Sequence, residues 1–538
     1  MKYFVVPFIV IFLSACQSIL SQNNASSVDN STTNEALAQP LDIHQALIVD
    51  EHIDVAHPIA DVDFVVDETL VKDETIWPRM QQQFTFEIPE QPRLVSERNW
   101  YAKHPSYLNR VAKRAEPFLH YIVEALEENN MPLELALLPI VESAFDPFAY
   151  SHGRASGMWQ FVPATGERFG MKQNWWYDGR RDIVASTAGA IKYLKYLNRF
   201  FDGDWMLALA AYNSGEGRVR NAVRKNKRLG KPTDFWSLDL PKETRAYVPK
   251  LLALADIIKR PKDFNVDLHP INNQPFVGQV AIQSQLDLAK AASLAGLSLA
   301  ELQRLNPGFN RWATDPDGPH SLLLPLSRIK DFSEGLEKLT KKDRLAWQRY
   351  KIKTGDNLGV IAENFNTRVS LIQEVNNIQG NNIRAGKYLL IPVAAQNLDS
   401  YVFSQEQRIA KKQQRSQKGR KVVHTVKSGD NLWDISRKYK VNSSQIARWN
   451  GFAPRDTLKI GQTLVVWQKD SKVSSSKADN AVMRNIIYKV KSGDSFARIA
   501  NKFNVRIGDI ERWNKLDRGK YLQPGQRLKL SVDVTNNI

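Results

Sequence analysis

Three short stretches of this chain repeat one pattern: Lys353-Thr-Gly-Asp-Asn-Leu358, Lys427-Ser-Gly-Asp-Asn-Leu432 and Lys491-Ser-Gly-Asp-Ser-Phe496. Each follows a short β-like run and opens a helical pattern. Asn376, Asn450 and Asn514 then follow Gly355, Gly429 and Gly493 at one constant offset. Gly386, Gly461 and Gly525 precede the apolar runs Leu389-Leu-Ile-Pro392, Leu464-Val-Val466 and Leu528-Lys-Leu530. Such self-similarity means that the C-terminal part is an array of small units and not one large core. Size points the same way, because 538 residues exceed what a single core supports.

At the other end, Lys2 is followed by an apolar stretch from Tyr3 to Leu13. It is too short to span a bilayer but suits the hydrophobic region of a secretory signal, expected to occupy residues 1–15. Cys16 is the only cysteine, which excludes an internal disulfide and a zinc site built on several thiolates. No metal and no cofactor is expected. Residues 16–92 are polar and then acidic, with Asp50, Glu51, Asp54, Asp61 and Asp63 among the charges, and are expected to form a flexible tether. The formal net charge of +17 therefore arises further on. Nucleic acid is the usual partner of such an excess, but export places the chain where nucleic acid is scarce, and an anionic wall polymer suits both facts. The densest basic run, Arg408, Lys411, Lys412, Arg415, Lys418, Arg420 and Lys421, lies in a Gln- and Ser-rich stretch and reads as a solvated linker over 395–420.

Residues 93–262 read as the first folded domain. Phe118, Ile122, Ala125 and Leu126 share one helical face. A second helix starts after Asn129-Asn130-Met131, with Pro132 where a missing amide hydrogen costs nothing. Glu142 falls at its end, among Ile140, Val141, Ala144 and Phe145, before Asp146-Pro147 forces the chain out of helical geometry. A carboxyl in such company is desolvated, which raises its pKa and lets it hold a proton that can be given to a glycosidic oxygen. Taken alone, a buried structural glutamate is the better reading, because ion pairs also perturb carboxyls.

The neighbouring segments reverse that preference. Gly153 to Gly166 is a glycine-punctuated loop with an exposed-looking Trp159 and an amide, Gln160, suited to sugar hydroxyls and acetamido groups. Tyr212 and Tyr247 each combine a flat apolar face with a hydroxyl, fit for stacking under a pyranose or for hydrogen bonding to Glu142. Asp178 and Asp182 read as a turn residue and a helix cap, so no second carboxylate completes a two-carboxylate glycosidase. No histidine lies in a partner motif for Ser143, and His152 reads as a turn residue, which disfavours a serine hydrolase.

In this order, Glu142-Ser143, Gly157-Met158-Trp159-Gln160, Ala211-Tyr212-Asn213 and Tyr247 resemble the motifs of the lysozyme-like lytic transglycosylases, relatives of goose-type lysozymes that cut peptidoglycan. Met158 stands where the family often has Leu, an exchange that conserves volume. The resemblance implies that Glu142 protonates the oxygen leaving N-acetylmuramic acid while the substrate's N-acetyl oxygen stabilises the anomeric centre. Glu142 would then take the proton of the C6 hydroxyl, which attacks in place of water and leaves a 1,6-anhydro ring. It also implies that Ser143 supports the glutamate by hydrogen bonding, that Tyr247 reaches back to it, and that Met158, Trp159, Gln160, Tyr212 and Asn213 hold substrate.

The repeats resemble LysM modules, strand-helix-helix-strand units that bind N-acetylglucosamine-containing glycans, at 349–394, 421–468 and 486–532, the last two joined by a linker over 469–485. The implied grooves lie between Gly355-Asp356 and Asn376, Gly429-Asp430 and Asn450, and Gly493-Asp494 and Asn514. The first copy has Val375 where the others have Trp449 and Trp513; either it binds less well or those tryptophans are core. Residues 263–345 have the rhythm of such a module without the Gly-Asp turn, and a diverged copy and a plain connector are both compatible with it. Leu13-Ser14-Ala15-Cys16 resembles a bacterial lipobox, which implies a lipid on Cys16 and a membrane tether. Gln17 after it implies the periplasmic face of the outer membrane. The expected whole is multidomain α+β, a mainly α lysozyme-like catalytic domain followed by small βααβ LysM modules, with peptidoglycan strands and not nucleic acid as partner. A non-enzymatic wall-binding lipoprotein and a true lysozyme-type hydrolase are the alternatives.

Overall fold

The computed structural model describes residues 75–151, 153–417, 419–468, 483–491, 494–503, 505–516 and 522–533. The expected signal peptide, Cys16, the tether as far as residue 74, His152, Gly493 and the linker residues 469–482 lie outside the described residues.

The first body is helical. It comprises α1 (Ile76–Gln82), α2 (Pro92–Lys103), α3 (Pro105–Glu128), α4 (Leu138–Ser143), α5 (Pro163–Arg168), α6 (Ile183–Phe200), α7 (Trp205–Ser214), α8 (Glu216–Arg228) and α9 (Lys242–Lys259). The face of α3 read from the sequence packs inward, with Phe118, Ile122 and Leu126 buried. The run Leu251-Leu-Ala-Leu-Ala-Asp-Ile-Ile258 of α9 is buried all round, which makes α9 the central helix, packed against α2, α4 and α7. The body begins earlier than residue 93. Ile76 and Met80, one helical turn apart in α1, are fully buried in the same core, Ile76 N donates to Ile271 O at 2.8 Å, and Trp77 Nε1 donates to His269 O at 2.9 Å. The acidic composition just upstream hid this short apolar turn.

A second core forms where β1 (Val277–Ala281) pairs antiparallel with β2 (Ser321–Pro325), with α10 (Leu288–Ala295) and α11 (Leu299–Leu305) between them and α12 (Leu326–Glu337) after. Three further units share the strand-helix-helix-strand order. They are β3 (Ala346–Lys351), α13 (Leu358–Asn364), α14 (Val369–Val375) and β4 (Tyr388–Val393), followed after a connecting helix by β5 (Arg420–Thr425), α16 (Leu432–Tyr439), α17 (Ser443–Trp449) and β6 (Thr463–Gln468), and then β7 (Met483–Lys489), α18 (Phe496–Lys502), α19 (Ile507–Asn514) and β8 (Arg527–Asp533). Each pair of strands is antiparallel and each unit has its own small core.

One device closes all four units. Asn376 donates to Ile372 O and Leu390 O, both at 2.8 Å, and accepts from Leu390 N at 2.7 Å, locking the second helix to the return strand. Asn450 and Asn514 make the same three bonds to Ile446 and Val465, and to Ile510 and Lys529. Asn306 repeats it with Leu302 and Leu323, so the stretch without a Gly-Asp turn is built like the others.

The connecting helix is α15 (Gln405–Gln414), and it corrects the expectation of a solvated linker over 395–420. Tyr401 and Phe403 anchor it, both nearly fully buried; Phe403 stacks on Phe148 at 4.8 Å and Arg408 lies over the other ring at 5.2 Å. Burial pushes the Arg408 guanidinium down to about 9, while Lys411 and Lys412 remain exposed. The run carries many charges, but long basic side chains bury their stems readily, so charge alone does not make it a linker.

Candidate active site

The 3₁₀ turn Leu133–Leu137 and the short helix α4 are buried along most of their length, and Glu142 stands in the last helical turn. Ala144 (φ 52°) and Phe145 (φ 57°) then both enter the left-handed region, with Ala144 N bonded to Ile140 O and Phe145 N to Pro139 O. Consecutive non-glycine residues there are strained, and the fully buried Phe145 ring holds the bend in place. The result is a carboxyl at a helix-to-loop junction, 8% exposed.

Tyr247, on α9, donates its hydroxyl to Glu142 Oε1 at 2.5 Å. Burial raises the Glu142 pKa to about 8; the Tyr247 hydrogen bond opposes this and the charge of Glu243 adds to it. Tyr247 itself is pushed well above its usual range by burial, with Glu142's charge contributing. At neutral pH the site therefore holds a protonated carboxyl with one oxygen fixed by a phenol.

Other residues expected here have different roles. Ser143 does not bond to Glu142. Its hydroxyl lies 3.1 Å from Pro139 O and 3.0 Å from Met158 O, joining the acid's helix to the glycine loop. Trp159 is not an exposed platform: it is fully buried, with Nε1 donating to Thr187 Oγ1 at 3.2 Å, and Met158 is 1% exposed. Both side chains turn inward because Gly157 (φ 81°) and Gln160 (φ 49°) reverse the chain on either side. Gln160 is half-buried and its amide donates to Gly157 O at 2.8 Å. Tyr212 lies close enough for the charge of Glu142 to raise its pKa, secondary to burial, but its hydroxyl is spent on Trp159 O at 2.9 Å. Both ends of the Asn213 amide are engaged: Nδ2 donates to Glu243 Oε1 at 3.1 Å and Oδ1 accepts from Thr244 Oγ1 at 2.8 Å. Asn213 thus ties α7 to the start of α9 and does not present a free amide to substrate.

Two features escaped the sequence reading. Glu243 lies one turn before Tyr247 on α9, so its reach toward Glu142 was hidden by their distance in sequence. The Asp178-Gly-Arg-Arg turn is a buried scaffold. Arg180 bonds Asp178 and donates to Arg154 O (2.6 Å) and Phe161 O (3.2 Å), while Arg181 donates to Asp178 at 2.8 Å. Burial alone would raise Asp178, yet Arg181 and Arg180 hold its carboxyl below the usual range. A Cβ on Gly157 would stand 1.9 Å from Arg180 O, so this backbone dictates glycine there. Asp182, as expected, caps a helix, accepting from Ala185 N at 2.8 Å.

In the repeats, the expected glycan contacts are largely structural. Asn450 is only 2% exposed, and Asn376 and Asn514 serve the same strand latch. Asp356, Asp430 and Asp494 accept from Lys353 N, Lys427 N and Lys491 N, and pair with Tyr350, His424 and Tyr488. Gly355 and Gly429 supply the positive φ that this turn needs. Trp449 and Trp513 pack on their own modules' cores, whereas Val375 packs on the second core, so its small side chain reflects docking.

Comparison with known proteins agrees with this organisation. The family described as "Transglycosylase SLT domain" matches residues 120–235, "LysM domain" matches 350–392, 424–467 and 488–531, and "Lytic transglycosylase MltD, LysM-like domain" matches 277–341. Membrane-bound lytic murein transglycosylase D of Escherichia coli is 35% identical over 418 residues, covering 76% of this chain and 89% of that protein. An autolysin of Enterococcus faecalis is 27% identical over 193 residues, 35% of this chain and 25% of that one. Among solved structures, the lytic transglycosylase Slt of Pseudomonas aeruginosa matches 36% of this chain and 33% of its own at 23% identity, with a TM-score of 0.24. An SLT domain, an MltD-type LysM-like unit and three LysM modules in one chain, aligned over most of its length with a murein transglycosylase, place this protein in the family of membrane-bound lytic murein transglycosylase D, as a lytic transglycosylase.

Proposed function

We propose that the substrate is peptidoglycan and that the protein cleaves the β-1,4 bond between N-acetylmuramic acid and N-acetylglucosamine, leaving a 1,6-anhydromuramoyl end. The observation that carries this reading is Glu142, a buried carboxyl whose pKa of about 8 keeps it protonated at neutral pH, with Oε1 engaged by Tyr247. The proton is then on Oε2. It passes to the leaving glycosidic oxygen as the C1–O bond breaks, and the N-acetyl carbonyl oxygen bonds to C1. Ionised Glu142 next takes the proton of the C6 hydroxyl as O6 bonds to C1 and the bond from C1 to the N-acetyl oxygen breaks, which restores the acetamido group and the acid without consuming water. Tyr247 supports the ionised form in that interval. Met158, Trp159, Gln160, Tyr212 and Asn213 shape the cleft through the loop and helix ends they hold.

A second reading rests on Glu243, whose charge acts on Glu142. If Glu243 activated a water, the protein would be a hydrolase of the lysozyme type. Its bond from Asn213 instead suits an electrostatic role in keeping Glu142 protonated. The LysM modules would hold the enzyme on the wall, and a lipid on Cys16 would fix it to the periplasmic face of the outer membrane. Glu142→Gln is expected to lower release of soluble fragments from purified peptidoglycan by at least ~10²-fold. Undiminished digestion would reject the assignment. Cys16→Ser is expected to move the protein from the membrane to the soluble fraction.

A further inference from the structure

A cavity of about 540 Å³, within the usual range for small-ligand sites, opens between Trp175 of the catalytic domain and the turn joining α13 to α14 in the first LysM module. It is separate from Glu142, and the turn is not one of the two loops, near Gly355-Asp356 and near Asn376, between which a LysM groove was expected. The junction is fixed. Trp312 Nε1 donates to Asn366 O at 3.0 Å, and Leu371 and Val375 pack into the second core.

Its walls suit a sugar. Trp175 stands at 90° to Trp176, with ring centroids 4.6 Å apart, and the Arg311 guanidinium lies 4.0 Å from the Trp175 ring centroid, so the indole is a held aromatic surface. Thr367 is 5% exposed, lines the cavity, and its Oγ1 has no hydrogen-bond partner. A desolvated hydroxyl of this kind calls for a partner. Val369 offers small apolar surface beside the amide of Asn366 and the Oε1 of Gln373, whose Nε2 donates to Gly380 O at 2.6 Å, a combination that suits the methyl and N–H of an acetamido group. The charges lining the cavity, Arg368 and Glu363, are opposite in sign, which disfavours a phosphate or another polyanion.

We propose that this cavity is a glycan subsite, built jointly by the catalytic domain and the first LysM module, that takes an N-acetylhexosamine unit away from the reacting bond. The proposal rests on the reading of the protein as a peptidoglycan enzyme.

The test uses full-length Glu142→Gln protein labelled with fluorotryptophan, so that binding is read without turnover. The Trp175 fluorine resonance, assigned by Trp175→Phe, is followed during titration with chitotetraose. It is expected to shift saturably. Ser370→Tyr, which fills the cavity from an exposed position on α14, is expected to abolish that shift while other tryptophan resonances still respond. Maltotetraose, which lacks acetamido groups, is expected to leave Trp175 unmoved. The proposal is overturned by a stationary Trp175 while other tryptophans respond, by a shift that survives Ser370→Tyr, or by an equal response to maltotetraose. If no tryptophan responds to chitotetraose or to peptidoglycan fragments, the glycan-enzyme reading fails along with it, a result distinct from failure of this subsite alone.

Discussion

Glu142 couples stability to pH in a direction that follows from its burial. Its folded-state pKa of about 8 lies above the ordinary 4.5, so between those values the folded protein holds a proton that the unfolded chain has released. The stability contributed by this group is full below pH 4.5 and is lost as pH rises toward 8. Glu142→Gln removes the cost of an ionisable group there, so the variant should melt higher than the parent. Its advantage should grow from pH 4.5 to 8 and then level off, at a limit on the order of 5 kcal/mol. Melting curves across that range check this; an advantage that shrinks with rising pH would contradict it. The burial of the Glu142 carboxyl at a helix end was legible because its apolar neighbours and the Asp146-Pro147 break are local in sequence. Trp159 was not, since a glycine turn does not reveal which of its side chains turn inward, and here Gly157 and Gln160 direct the indole into the core.

Among the elements, the recurring asparagine shows why a constant offset marks importance without naming the task. An asparagine that closes the second helix onto the return strand must recur at a fixed distance as strictly as one that touches a ligand. Asn306 makes the same latch in a unit whose Gly-Asp turn is gone, so the latch belongs to the fold. Asn450→Ala would leave the Val465 amide and carbonyl unpaired in a buried setting, at a cost of about 2–3 kcal/mol. Hydrogen exchange in β5 and β6 should accelerate by roughly the corresponding 30- to 150-fold while α9 stays protected. Unchanged exchange in β6 would contradict the latch. Helix α15 was hidden for a different reason: its anchors, Tyr401 and Phe403, precede the basic run that dominated the reading of this stretch.

Across the whole molecule, the second LysM module is held against the catalytic domain and does not hang from a linker. Asp456 meets Arg154 at 2.7 Å and Tyr150 at 3.2 Å, and from α15 Gln413 donates to Asn450 Oδ1 at 2.9 Å and Thr463 O at 3.0 Å. Tyr150 and Arg154 lie between the bend after Glu142 and Gly157. Replacing Phe403 and Asp456 together by alanine removes the ring stack and the ion pair, and should increase the radius of gyration measured by small-angle scattering. An unchanged radius would show that other contacts hold the module. The order of domains was readable from motifs, but their mutual docking depends on single side chains from distant segments, a pairing that no local pattern announces.

The proposed function makes one chemical statement, that Glu142 serves both proton transfers and the attacking oxygen belongs to the sugar. Mass spectrometry of fragments released from purified peptidoglycan reads this directly. Muropeptides ending in 1,6-anhydromuramic acid are expected, one water lighter than hydrolysis products. Reducing N-acetylmuramic acid ends, with no anhydro sugar, would mean that water attacks and that Glu243 or another group takes the second role.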